Sequence, residues 1–310
     1  LTLIFYFSII FLERRGENCG YAEDEELKKR PQTNRLRIFI EIDVQFRRKQ
    51  FREVSANEYS YDFGKTHKAE GKMDVYKTEK IGGLIKDNPY VGRGIVVGKT
   101  RDGKKACAAY FIMGRSANSR NRVFVERDGK VMTEPFDASK VEDPSLIIYT
   151  AIRSVGKDLI VTNGDQTDTI FEGLKRGKTF SEALKERKFE PDAPIFTPRI
   201  SALLHFEGKF FYEMSILKSA DKDGSACDRF TFEYEPIDGV GHFLHTYATD
   251  GNPVPTFFGE PERVEIPNDI DEFASDLWNG LNEQNKISLY VRYVDLITGE
   301  AESRTINKNE

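Results

Sequence analysis

Nine consecutive residues, Gly114-Arg115-Ser116-Ala117-Asn118-Ser119-Arg120-Asn121-Arg122, set three guanidiniums among short hydrogen-bonding side chains. Arginine presents a planar fork of donors that matches phosphate or carboxylate, and Ser and Asn add polar contacts with little bulk. The stretch reads either as an anion cradle or as a solvated hairpin tip whose charge serves solubility, and by itself it does not choose. Other groups further along could also do chemistry. Tyr149 places a hydroxyl near an apolar face and reads as a core aromatic or as a site group. Asn163-Gly164-Asp165-Gln166-Thr167-Asp168 is a polar turn after an apolar run, and loops at strand ends are where sites tend to be built. Glu190 and Arg199 flank a segment fixed by Pro191, Pro194 and Pro198, and read as site residues or as a surface salt bridge.

Composition narrows the chemistry. The formal net charge of -5 gives no field favouring nucleic acid, and no Lys/Arg block is long enough to act as a basic tail. Cys19, Cys107 and Cys227 make an odd count without a CxxC pair, and the 4 histidines are scattered, which argues for a reducing cytoplasm and against structural zinc. Gly92-Arg93-Gly94 is not a dinucleotide fingerprint, because turn residues and another apolar run follow it where a helix would have to open. The apolar run over 1–12 is shorter than the roughly 20 residues a membrane span needs, and its arginines, Arg14 and Arg15, follow it instead of preceding it, so no membrane role is expected. The first methionine is Met73, preceded by Glu70-Gly71-Lys72, whose codons can resemble a ribosome-binding site. Residues 1–72 are therefore expected to be a poorly structured or wrongly translated upstream segment, and 73–310 the functional domain.

The elements that must position these groups are mostly strands. β-Branched, glycine-bounded runs predict strands over 91–98 and 106–113, and Asp128-Gly129 predicts a hairpin joining 123–127 to 130–134. Asp143-Pro144 is the signature of a helix start, and Leu146, Ile147, Ala151, Ile152 and Val155 can share one face of a helix over 146–155 carrying Tyr149. A strand over 158–162 leads to helices over 169–175 and 180–188. Strands follow over 200–206, 209–217, 229–235 and 242–247. The Gly/Pro-dense stretch 249–262 reads as an ordered lid or edge. A helix capped by Asp269 or Asp271 runs through Leu281, and strands over 286–295 and 300–306 complete the pattern. Many hairpins with helices in two groups, and no βαβ alternation, predict an α+β domain of two layered sheets covered by helices.

Taken together, Asn88-Pro89-Tyr90-Val91-Gly92-Arg93-Gly94, the Gly114 to Arg122 loop, Tyr149, Thr162-Asn163-Gly164-Asp165-Gln166-Thr167-Asp168 and Thr197-Pro198-Arg199-Ile200 resemble, in order, the motifs of the archaeal-type IMP cyclohydrolase family. The resemblance implies the four-layer αββα sandwich of the N-terminal-nucleophile hydrolase fold, used without autoprocessing, since no Ser, Thr or Cys stands at Met73 and Cys107 lies inside a strand run. It implies closure of 5-formamidoimidazole-4-carboxamide ribonucleotide to IMP with loss of water, a purine-nucleotide substrate, no metal or cofactor, and a possible homo-oligomer. By the same resemblance Arg115, Tyr149 and Glu190 are catalytic candidates. Arg122, Ser116, Asn118, Asn163, Asp165 and Arg199 are substrate-binding candidates, while Arg120 reads equally as a contact or as a solvated side chain. The Arg loop is longer than in shorter family members and lacks a proline, and 249–262 fits a longer branch. Another amide-chemistry enzyme and a non-catalytic purine-nucleotide-binding module fit the same scaffold.

Overall fold

The computed structural model describes residues 76–141, 144 and 147–310. The expectations for 1–72, including Cys19, and for Asp143 and Leu146 lie outside the described residues. Within them the chain is a mixed α+β structure of two antiparallel sheets and a few helices. A short helix, α1 (Ile81–Ile85), precedes the hairpin of β1 (Arg93–Lys99) and β2 (Lys105–Met113). One turn of helix, α2 (Ala117–Arg120), then leads out of this sheet. The second sheet is an uninterrupted meander: β3 (Arg122–Arg127), β4 (Lys130–Pro135), β5 (Thr150–Val155), β6 (Asp158–Thr162), β7 (Arg199–His205), β8 (Phe211–Ser219) and β9 (Cys227–Tyr234) pair in sequence order. Helices α3 (Gln166–Lys175) and α4 (Phe180–Leu184) are inserted between β6 and β7.

The chain then returns to the first sheet. β10 (Val240–His245) pairs with β1, and β11 (Glu262–Glu265) extends that edge. After helix α5 (Ile270–Gly280), β12 (Lys286–Asp295) pairs with β2 on the other side, and β13 (Ala301–Asn307) forms the far edge. The order β11-β10-β1-β2-β12-β13 leaves β1 and β2 central, and their residues are buried almost without alternation, as strands covered on both faces must be.

One apolar cluster takes Ile95, Tyr110 and Ile112 from the first sheet and Val161, Ala202 and Met214 from the second, so these faces meet. On the opposite face of the first sheet, Ile81 of α1 and Phe273, Ala274 and Leu277 of α5 pack with Val96, Phe111 and Val291. On that of the second, Ile170 of α3 and Phe180 and Leu184 of α4 pack with Ile160 and Leu203. Each such Leu, Ile or Phe contributes about 1.5–3 kcal/mol by leaving water. Asp269 caps α5 by accepting the backbone N–H groups of Asp271 and Glu272, and Thr179 and Glu182 form a reciprocal capping box on α4. No helix among the described residues is long and apolar enough to cross a membrane.

Two expectations are corrected. The helix over 146–155 is not formed: Thr150–Val155 is strand β5, hydrogen-bonded to β4 and β6, and Tyr149 stands just before it. Its β-branched residues, Thr150, Ile152 and Val155, suit a pleated surface, and the spacing that fits a helix face is outweighed by pairing on both sides. The Arg loop is not a hairpin tip, because β2 and β3 lie in different sheets and 114–121 carries the chain between them. The Asp128-Gly129 hairpin forms as expected, with positive φ at both turn residues.

Candidate functional site

The segment 114–122 is wired internally. Ser116 caps α2 by accepting the Ser119 N–H at 3.1 Å. Arg122 donates from Nε to the Ser119 carbonyl and from Nη2 to the Ser119 hydroxyl, each at 2.8 Å. Its third nitrogen, Nη1, has no partner among the described residues although the side chain is fully buried. Asn118 Oδ1 is a second buried atom without a partner. Arg120 is not left to water: it donates to the Gly114 carbonyl at 2.9 Å and to Asn285 Oδ1 at 3.0 Å, holding the loop closed. Arg115 pairs with Asp250 at 2.6 Å, donates to the Gly251 carbonyl at 3.0 Å and lies 5.0 Å from the centre of the Tyr90 ring. The loop 249–262 is thereby tied to the Arg loop. It is also pinned by the Phe257 N–H to the Thr246 carbonyl and by the Ala248 N–H to the Pro255 carbonyl.

Arg93, at the start of β1, was not singled out by its sequence context. Its guanidinium makes no hydrogen bond or ion pair with any described residue, and its Nε is buried without a partner. It lies within electrostatic reach of Tyr90, Tyr110, Tyr149 and Tyr247, and of Glu190. Arg122 lies within electrostatic reach of Tyr149, Tyr110, Tyr90 and Arg93 itself. Burial first, and the Arg93 charge with it, lower the Arg122 pKa, while the tyrosines oppose them. Two guanidiniums facing one another with open N–H groups make a site for an anion, since each burial cost is offset only by opposite charge.

Tyr149 is nearly buried, and its hydroxyl lies 2.7 Å from that of Tyr110. Thr133 fixes the Tyr149 backbone from both sides, accepting its N–H at 2.9 Å and donating its own N–H to the Tyr149 carbonyl at 3.0 Å. Burial holds the Tyr110 hydroxyl well above the ordinary phenol range, so it stays protonated.

The third part of the site is an ion network at the ends of β6 and β7. Arg199 Nη1 meets Glu190 Oε1 at 2.9 Å, Asp165 Oδ1 at 2.6 Å and Gln166 Oε1 at 2.7 Å, and Asp165 also pairs with Arg187 at 2.8 Å. Burial pushes the Glu190 carboxyl up to about 7, against the lowering pull of Arg199. Asp165 is held low by Arg199 and Arg187 in spite of its own partial burial. Gly164 leaves room for this arrangement, because a Cβ there would lie 2.7 Å from both Glu190 Oε1 and Gln166 Oε1. Glu190 is fixed by its N–H bond to the Thr197 carbonyl at 2.9 Å. The Thr197 hydroxyl bonds Tyr247 Oη at 2.7 Å, and Tyr247 stacks on Tyr90. Asn163 is spent on scaffolding: Oδ1 accepts from Ile200 N and Gln166 Nε2, and Nδ2 donates to the Pro198 carbonyl, each at 2.9 Å.

The fold thus links Arg115, Tyr149, Glu190, Arg122, Asp165 and Arg199 through one set of tyrosines. Sequence reasoning missed Arg93, Tyr110, Tyr90 and Tyr247. Arg93 and Tyr90 lie in the Asn88 to Gly94 motif, which was the signal that could have found them, whereas Tyr110 sits in an apolar strand run and carries none. Cys107 is buried, which pushes its thiol up and removes it as a nucleophile. Among the described residues no group of His, Cys, Asp and Glu is arranged to hold a metal ion.

Residues 90–300 match the family model described as IMP cyclohydrolase-like protein. An IMP cyclohydrolase of Methanopyrus kandleri is 33% identical over 163 residues, covering 51% of this chain and 75% of that protein. One of Methanococcus aeolicus is 30% identical over 163 residues, covering 51% and 74%. One of Methanocaldococcus jannaschii is 37% identical over 117 residues, covering 37% of this chain and 56% of its own length. The family match takes in every part of the site, from Tyr90 to Tyr247, and the chain belongs to the IMP cyclohydrolase-like protein family.

Proposed function

We propose that this chain is an IMP cyclohydrolase of purine biosynthesis, closing 5-formamidoimidazole-4-carboxamide ribonucleotide to IMP with loss of water. The observation that carries the reading is the convergence of two buried guanidiniums that each keep an N–H without a partner among the described residues, a hydroxyl pair and a carboxyl held near neutrality in a chain of this family. In the reaction the carboxamide nitrogen attacks the formyl carbon within one molecule. That step needs the two groups oriented, charge on the formyl oxygen stabilised and protons moved.

A phosphate dianion matches the uncompensated pair Arg93 and Arg122, with Ser116 and Asn118 beside it in the same loop. Tyr149 donates to the formyl oxygen as the nitrogen attacks, with Arg115 released from Asp250 to add positive charge there. Glu190, poised at about 7, takes the proton from the carboxamide nitrogen and passes it to the formyl oxygen, which becomes a hydroxyl; it then takes the formamido N–H proton as the C=N bond forms and gives it to the departing hydroxyl, so that the C–O bond breaks and water leaves. Arg199 and Asp165 hold Glu190 in place, and Asn163 braces the turn on which they stand. The packing of helices on the outward face of each sheet supports the four-layer αββα arrangement of N-terminal-nucleophile hydrolases. The family match over 90–300 supports placing the activity in 73–310 of a cytoplasmic enzyme.

The test is turnover of the formamido nucleotide by the full chain, followed by ultraviolet absorbance. Conversion to IMP is expected. Folded protein that binds the nucleotide without turning it over would leave a binding module, and protein that neither binds nor converts it would end the reading.

A further inference from the structure

We infer that Tyr110 is a positioning residue that commits the Tyr149 hydroxyl to donate into the site; this rests on the proposed reaction and adds a role to a residue outside it. Tyr110 stands in the middle of β2, paired with Ile95 of β1 and Tyr290 of β12, and its side chain has no solvent exposure. Its ring leans on Phe124 with centroids 5.4 Å apart, so neither backbone nor ring is free to turn away.

Tyr110 and Tyr149 share one hydrogen bond of 2.7 Å, to which only one of the two protons can be given. The geometry decides which. Tyr110 Oη has Tyr149 Oη as its hydrogen-bond partner among the described residues, so giving the bond to Tyr149 as donor would leave the Tyr110 proton buried and unsatisfied, at full desolvation cost. Tyr149 has the opposite situation. Its side chain keeps 8% exposure where Tyr110 has none, so its proton can turn to the open side and reach a substrate oxygen. The arrangement with every group satisfied is therefore Tyr110 donating to Tyr149 and Tyr149 donating to substrate. A hydroxyl that accepts one hydrogen bond donates more strongly through its own proton.

Tyr110→Phe removes the donor while keeping the ring that fills the core. The expected result is a kcat reduced about tenfold with KM unchanged, because the lost effect is on charge developing in the transition state. Thermal unfolding should show the variant folded. In a Tyr149→Phe background the same substitution should have no further effect on kcat, which a general packing defect would not reproduce. Replacing Tyr110 by 3-fluorotyrosine, which keeps a hydroxyl donor, should restore kcat.

Equal losses from Tyr110→Phe with and without Tyr149 would overturn the inference, as would a rise in KM alone or unchanged kinetics. Wild-type protein assayed in parallel separates the two claims: no turnover there fails the proposed reaction itself. In that case 19F resonances of 3-fluorotyrosine at 149 still test the hydrogen bond. They should shift on Tyr110→Phe and stay in place if the two hydroxyls are not coupled.

Discussion

Replacing Arg199 by methionine should move the acid limb of the kcat pH profile upward. Glu190 is held at about 7 by burial, and Arg199, 2.9 Å away, is the group that pulls hardest toward ionisation. An opposite charge at this range favours the carboxylate by about 1–3 pH units. Arg199 Nη1 also serves Asp165 and Gln166, so the share felt by Glu190 belongs in the lower part of that range. A rise of about one to two pH units follows, which at neutral pH cuts kcat roughly 5- to 50-fold while leaving the alkaline plateau in place. The charge-keeping Arg199→Lys should move the limb less. Stability falls as well, by about 3 kcal/mol at alkaline pH where Glu190 must be charged without its partner, and by less at neutral pH where it takes up a proton. The assay is the steady-state pH profile of each variant across the acid, neutral and alkaline range, with thermal unfolding at the same pH values. An acid limb that stays where it was, or moves to lower pH, would refute the assignment of Glu190 as the titrating base and Arg199 as its tuner.

The same site yields further expectations. Glu190→Gln should lower kcat by about 10²–10⁴. It should also raise stability at pH 7 and above, because a carboxyl raised from 4.5 to about 7 in the folded protein costs about 3 kcal/mol as pH climbs through that window; an unchanged melting temperature at alkaline pH would contradict the burial cost. Arg122→Met should raise KM with kcat nearly kept, as loss of a phosphate contact does, and a kcat loss without a KM change would move Arg122 to the reacting centre. Gly164→Ala puts a Cβ 2.7 Å from Glu190 Oε1 and should depress kcat in a protein that still folds, read as activity against circular dichroism. Gly280→Ala forces a Cβ to within 2.5 Å of the Gly82 Cα where α5 crosses α1, and should cost about 1–3 kcal/mol in unfolding with little change in kcat.

Strands and hairpins were legible wherever a local signal was strong. The Asp128-Gly129 turn, the β-branched run of β1 and the Asp269 cap of α5 each depend on residues a few positions apart. The segment ending in β5 was misread because five apolar residues spaced for a helix face also suit a strand, and only pairing with β4 and β6 decides between them. Of the candidate site, Arg115, Arg122, Tyr149, Glu190 and Arg199 were named from residue type and family resemblance, while the partner each one has was not legible.

The sequence alone determined an α+β chain of the IMP cyclohydrolase-like kind, with an arginine-rich segment, a tyrosine and an acid as its chemical groups, because residue type and short-range order carry that information. Only the tertiary structure decided that 114–122 bridges two sheets, that Arg120 is a clamp while Arg122 and Arg93 keep open N–H groups, and that Glu190 sits near neutrality beside Arg199. Those properties come from burial and from contacts between residues far apart in the chain, such as Tyr110 with Tyr149 and Arg115 with Asp250. No local pattern encodes which of several buried guanidiniums will be left without a partner.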